Sequence, residues 1–181
     1  MKVILFVLIS LEIIWVSRSS LKNAKNHGFY RFFAWEIILI LFLMNMEQWF
    51  VDPFRVSQLV SWVFLIVSLL LIVEGVRLFK RKGRLNQERD GPALVGIEKT
   101  TELVTTGIYH YLRHPFYSSL LFLCWGIFFK NISFIGTVLA ILTTLLLLIT
   151  AKKEEIENLR FFGEKYREYM KLTRMFIPYI F

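Results

Sequence analysis

Residues 56–73 form a run of 18 positions without a charge, and residues 131–151 form one of 21. Runs of that length suit a bilayer, whose hydrocarbon layer, about 30 Å thick, is crossed by about 20 mainly apolar helical residues. Three further segments come close: 3–17, broken by Glu12; 33–50, carrying Glu36 and Glu47; and 115–129, free of charge throughout. Composition agrees, with 56% hydrophobic and 20% charged residues and a mean hydropathy of +0.54. Soluble domains run at about 45–50% and about 25%. The 18 Phe and 5 Trp exclude a disordered chain, and Cys124, having no second cysteine to pair with, excludes a disulfide scaffold. The expectation is an all-α integral membrane protein with about five transmembrane helices in a single domain, residues 1–181.

Spans four and five are separated by Lys130 alone, which predicts a tight helical hairpin. The fourth, at about 22 Å, is short for a full crossing, so the loop before it is expected to dip below the membrane surface. Of the 22 Lys and Arg residues, 19 would lie on one side, in the loop near 18–32, the loop 77–114 and the tail after 151. Only Lys2, Arg55 and Lys130 fall on the other. Cytoplasmic loops retain basic residues, so the N-terminus is placed outside, and the C-terminus in the cytoplasm. The basic surplus reads as attraction to anionic headgroups, with no nucleic-acid partner. A signal peptide over 3–17 is disfavoured, because no small-x-small cleavage site follows and Arg18 and Lys22 hold the chain inside. The sequon at Asn131, Ile132 and Ser133 falls in a turn against the bilayer and reads as chance.

Unusual polar residues gather in two places, both on the cytoplasmic side: 103–117, before and into span four, and 154–181, after span five. The hairpin should bring Arg113, His114 and Tyr117 close to Glu154 and Glu155. Pro115 suits a first helical position, where its missing N–H costs nothing. Residues 116 to 118 would then present N–H groups at the positive end of a helix dipole. Arg113 adds a fork of donors, Tyr109, Tyr111 and Tyr117 add flat faces with hydroxyls, and Glu154 and Glu155 face them as partners for a cation. A ligand with an adenine ring, a carboxylate and positive charge would satisfy the set. The bland alternative is a helix cap and an aromatic belt at the membrane interface. From Glu155 onward, Ile156, Leu159, Phe162, Tyr166, Tyr169 and Met170 recur at helical spacing opposite a charged face. This predicts a cytoplasmic amphipathic helix, bent at Gly163, lying on the membrane or over the site.

At these residues the sequence resembles the isoprenylcysteine carboxyl methyltransferase family, whose wider circle includes phospholipid N-methyltransferases. The resemblance covers 103–179. It rests on Leu103, Val104, Thr105, Gly107, Ile108 and Tyr109; on Arg113, His114, Pro115 and Tyr117; and on Glu154 and Glu155. A last block follows at Phe161, Phe162, Gly163, Glu164, Tyr166, Glu168 and Tyr169, then Pro178. Residues 1–80, with spans one to three, match in hydropathy alone, which leaves 81–181 as the catalytic half. The resemblance implies a membrane enzyme that uses S-adenosylmethionine without a Rossmann domain. Position by position, it implies a cofactor pocket of Leu103, Val104, Tyr109, Arg113, His114, Pro115 and Tyr117, closed by Glu154. Two places depart from it. Thr150 stands where the eukaryotic prenylcysteine enzymes have an arginine linked to the substrate carboxylate, and Ser119 stands at a usual glycine. The methyl acceptor, a lipophilic carboxylate, thiol, amine or phenol, is therefore open.

Methyl transfer from a sulfonium needs alignment and exclusion of water more than acid–base machinery. An amine or phenol acceptor must lose a proton, and His114 and Glu155 are the candidate catalytic groups for that. The acceptor would enter sideways from lipid and the cofactor from the cytoplasm. Glu12 falls at mid-bilayer, where an acidic residue often marks a functional cavity, while Glu36, Glu47 and Glu74 are expected near helix ends. No metal is expected, since His27, His110 and His114 lack ligand spacing, and His110 reads as a surface residue. The competing classes are a membrane reductase of the sterol type using NADPH, which shares an Arg-His-Pro-x-Tyr segment, and a non-enzymatic membrane protein.

Overall fold

The structure is a computed structural model that describes residues 1–82 and 102–178. Arg84, Arg89 and Lys99 of the long basic loop, and Tyr179 at the end of the matching region, lie outside the described residues. The described chain is helical: α1 (Lys2–Leu21), α2 (His27–Asn45), α3 (Val56–Lys82), α4 (Pro115–Lys130), α5 (Phe134–Phe162) and α6 (Glu164–Leu172). Among the described residues, four stretches are long and apolar enough to cross a membrane, Lys2–Leu21, His27–Gln48, Val56–Leu78 and Phe134–Phe162. The fourth apolar segment, α4, has 16 residues, about 24 Å at 1.5 Å each, so it stays the short member expected from sequence.

Helix pairing follows the small and hydroxylated residues. α4 packs most extensively on α3, and α5 on α2, while α1 lies chiefly against α2. The hairpin between α4 and α5 does form, with residues 131–133 as its turn, but each arm has its main partner elsewhere. Between α3 and α4, the Ser61 hydroxyl donates to Gly126 O at 2.7 Å, and the Ser68 hydroxyl to Ser119 O at 2.7 Å. Gly126 lets the two backbones close up, since a Cβ there would sit 2.9 Å from the Leu65 side chain and 3.2 Å from its backbone nitrogen. Lipid offers no hydrophobic drive between helices, so small residues and interhelical hydrogen bonds of this kind set the contacts. In the turn, the Ser133 hydroxyl accepts from Gly136 N at 3.1 Å and caps α5. Asn45 ends α2 by donating to Ile127 O on α4 at 3.0 Å.

Several polar residues land where their sequence context did not place them. Lys130, in the turn between spans four and five, is buried, donates to Gln58 Oε1 at 3.0 Å and lies 3.5 Å from the Trp62 ring centroid. Glu36 is not near a helix end, because α2 begins as early as His27; its Oε2 accepts from the Ser10 hydroxyl of α1. Glu12 is exposed on α1, neither paired inside the bundle nor lining the cavity described below. Glu47 pairs with Lys2 at 2.8 Å and Glu74 with Arg77 at 3.7 Å, both in exposed positions. The largest correction concerns α5. It runs unbroken for 29 residues, so Glu154 and Glu155 extend the membrane helix, and no separate surface helix begins with them. The break comes at Gly163, whose φ of 59° is a left-handed value that favours glycine.

Replacing Gly126 with Val should force α3 and α4 apart. Overpacking of this kind costs about 1–3 kcal/mol, read as a lowered melting temperature of the detergent-solubilised protein. An unchanged Tm would mean the seam is looser than its geometry.

Candidate functional site

The site is assembled where the chain enters α4. Gly107 opens the short turn Gly107–His110 with a φ of 63°, and any side chain there would also drive into Leu78 of α3. His114 then caps α4, and Pro115 takes its first turn as expected. One expectation fails at this helix start. Ser118 does not present a free N–H, because it donates to His114 O at 2.9 Å.

The end of the chain is strapped along this entry segment. Arg113 N donates to Arg174 O at 2.8 Å, Arg174 N to Tyr111 O at 3.0 Å, and His114 N to Met175 O at 3.3 Å. The Ser118 hydroxyl donates to Phe176 O at 2.8 Å, and the Tyr169 hydroxyl to Tyr109 O at 2.5 Å. Arg113 lies at the centre. Its Nε donates to Glu155 Oε1 at 2.6 Å, and its Nη1 to Met170 O at 3.1 Å and Thr173 O at 2.5 Å. The last carbonyls of a helix have no partner within it, and here a guanidinium fork satisfies them at the end of α6.

Between the entry segment, α4, α5 and α6 lies a cavity that opens to solvent. Leu103, Val104, Tyr109, Arg113, His114, Pro115, Tyr117 and Glu154, the eight residues expected around a cofactor, all line it. So do Glu102, Phe116, Asn158, Phe162, Tyr166 and Tyr169. Glu154, Asn158 and Phe162 are spaced by four residues, one face of a helix. The spacing is present in the sequence but hidden by the end of the apolar run at residue 151. Tyr166 and Tyr169 are buried, so the amphipathic face of α6 covers the cavity. Burial pushes both phenols well above the usual tyrosine range, which keeps them as neutral donors.

Two of the expected residues are held by the protein itself. Arg113 borders the cavity, but its Nε and Nη1 are spent on the protein itself. Glu155 is absent from the lining; its carboxylate is held by Arg113 with side-chain exposures of 10% and 9%. The His114 ring stacks on Tyr117 at 5.4 Å between centroids. Its Nε2 lies 3.5 Å from Glu155 Oε1, and its Nδ1 lies 3.7 Å from Glu154 Oε2. The result is a chain of groups, Arg113 to Glu155 to His114, reaching from the strap to the cavity wall. The two departures from the family pattern are quiet structurally. The Thr150 hydroxyl donates to Leu146 O at 2.7 Å within its own helix, and the Ser119 hydroxyl to Phe116 O at 2.7 Å. Among the described residues, no three His, Cys, Asp or Glu side chains come together as metal ligands would. His110 is exposed.

An aromatic and acidic cavity at the root of two membrane helices suits a ligand with a flat ring and a cation. Residues 56–165, from the start of α3 into α6, match the family model of phospholipid methyltransferases. The chain belongs to this family. A methanethiol S-methyltransferase of Pseudomonas deceptionensis is 30% identical over 118 residues, which cover 65% of this chain and 42% of that relative. The chain thus spans less than half the length of the curated relative it matches. No solved structure matches it. Family and helices together make this an integral membrane protein of a methyltransferase family, which favours methyl transfer over the reductase reading.

Arg113→Ala would leave Glu155 as a buried unpaired charge and uncap α6. Breaking a buried pair from one side costs about 3–5 kcal/mol. Limited proteolysis should therefore cut beyond Gly163 in Arg113→Ala and spare the parent protein, and Arg113→Met with Glu155→Met should recover much of the loss. Equal protease resistance of the single variant would deny the clamp.

Proposed function

We propose that this protein transfers a methyl group from S-adenosylmethionine to a lipophilic acceptor. The observation that carries the reading is the convergence of residues from 102–117, 154–162 and 166–169 on one cavity. The residues fit the donor. Glu154 offers a carboxylate to a cation, and Tyr109, Tyr117, Tyr166 and Tyr169 offer ring faces and hydroxyls. When bound, the donor supplies a methyl group already activated on a sulfonium.

The protein's own contribution is then to hold, orient and keep dry. Glu154 holds positive charge. Leu103, Val104, Pro115 and Phe162 provide apolar walls, and Tyr166 and Tyr169 of α6 cover the cavity against water. His114, steadied by Glu155, is positioned to take a proton from an acceptor that carries one. The acceptor enters from lipid between the helices, and the donor enters from the cytoplasm. That orientation places the N-terminus outside, in keeping with 19 of 22 basic residues on one side. In this reading, residues 81–181 carry the chemistry, and 1–80 house it in the membrane. The relative named as a methanethiol S-methyltransferase brings sulfur into consideration as the acceptor atom here as well.

The solubilised full-length protein should bind S-adenosylmethionine in equilibrium dialysis. Glu154→Gln should weaken binding about tenfold, the equivalent of roughly 1.4 kcal/mol, while Lys2→Ala, at the opposite end of the bundle, should leave it unchanged. No binding by the parent protein, or equal binding by Glu154→Gln, would count against this site.

A further inference from the structure

We infer that α1 pairs with α1 of a second copy of this chain, along the face that carries Glu12 and Trp15. Glu12 lies 10 residues beyond Lys2, where α1 begins. That places it about 15 Å along the helix, close to the middle of a hydrocarbon layer about 30 Å thick. Ionisable residues at such depth nearly always face the bundle interior or a watery cavity, and they are paired. Glu12 is exposed instead, and among the described residues no hydrogen bond or ion pair reaches it. Glu36 of α2 is the contrast, because the Ser10 hydroxyl of α1 donates to it. α1 turns Ser17 and Ser20 inward and makes its main contact with α2, so the flank that bears Glu12 faces lipid.

One turn further on stands the complement to this acid. Trp15 is 62% exposed, with Arg18 over its ring at 5.3 Å and, among the described residues, no acceptor for its Nε1. Carboxyl oxygens accept hydrogen bonds, and an indole N–H can only donate. Within one helix both side chains lean toward the N-terminus, so they run side by side and do not meet. A second copy, inserted the same way up, makes two pairings at once. Its Trp15 donates to Glu12 of the first copy, and its Glu12 accepts from the first Trp15. A two-fold axis along the membrane normal gives this reciprocity. The face holds both halves of the bond it lacks, which is why the chain itself is the occupant.

The spacing suits such a pair. Leu5, Leu8, Glu12, Trp15 and Ser19 follow at intervals of three and four, the seam of two helices in a left-handed pair. Leu5, Glu12 and Ser19 then take the first core position of successive heptads, and Leu8 and Trp15 the second. In that register each Trp15 enters a hole bounded by Glu12, Trp15, Val16 and Ser19 of the facing helix. The indole comes to rest between the carboxyl group and the hydroxyl of the second copy. Leu8, at 58%, and Ser19 are exposed too, so most of the seam is clear of the chain's own bundle. The pairing is independent of the reaction proposed above.

The test uses the full-length protein in phosphatidylcholine vesicles, with donor and acceptor dyes on separate copies and lipid added stepwise to dilute them. Energy transfer in the parent protein should fall along a monomer–dimer isotherm. Glu12→Leu and Trp15→Phe should each weaken association at least tenfold, and combining them should add little, because both remove the same interaction. Glu12→Gln keeps an acceptor and should stay near the parent. Under oxidation in the membrane, Leu8→Cys should cross-link to its twin. Val7→Cys should not, although Val7 is 48% exposed, because it is turned 100° away. Cys124 is buried and does not interfere. A parent protein that stays monomeric at every dilution would overturn the pairing and leave this face to lipid or to a helix of another protein. Unchanged association in Glu12→Leu, or equal cross-linking at positions 7 and 8, would overturn it as well.

Discussion

Arg113 is a cation with little access to water, and a charge in that position survives if acceptors surround it. It has three: the Glu155 carboxylate and the carbonyls of Met170 and Thr173. Much of the described architecture on this side depends on that arrangement. The carbonyls belong to the end of α6, so the guanidinium holds the tail against the root of α4. The carboxylate belongs to α5, so the same group ties the two membrane helices together at their shared end. The cavity exists because these three elements are held apart by side chains and together by one charged fork.

The remainder of the bundle supplies a rigid frame for this junction. Hydroxyl-to-carbonyl bonds and Gly126 bring α3 and α4 into close contact, and buried Ala34, Leu147 and Ala151 pack in one cluster with Tyr117 and Phe176. Residues of α2 thus back the wall of a site to which α2 contributes no described lining residue. At the same end, His27, fully buried at the start of α2, meets Glu157 of α5 at 2.7 Å. The family match begins with α3, while α2 stands outside it. The N-terminal helices therefore support the site through packing, which hydropathy specifies and motif comparison does not see.

The site was legible to the extent that its residues sit in short, recognisable blocks. Leu103 to Tyr117 and Glu154 could be placed together because a tight hairpin has one geometry, and the structure brings all of them to one cavity. Roles were harder than positions. Arg113 next to His114 and Pro115 reads as a ligand donor, yet its partners are carbonyls some 60 residues away in sequence, which no local pattern announces. Glu155 adjoins Glu154 in sequence but turns 100° around the helix, to the clamp and away from the cavity. Asn158 escapes a sequence reading because the fall in hydropathy after residue 151 separates span five from the helix expected from Glu155, while the structure makes them one helix.

By itself, the sequence determined that the chain is helical, that it belongs in a bilayer, and which residues stand at the mouth of spans four and five. Long uncharged runs admit few other folds when backbone groups must be satisfied without water. Tertiary structure alone decided how the helices pair, that α5 continues to Phe162 as one rod with Glu154, Asn158 and Phe162 on a single face, and that the tail is strapped along the entry to α4. Those outcomes depend on contacts between residues distant in the chain. Hydropathy reports how much surface must be buried, but it does not say against which partner.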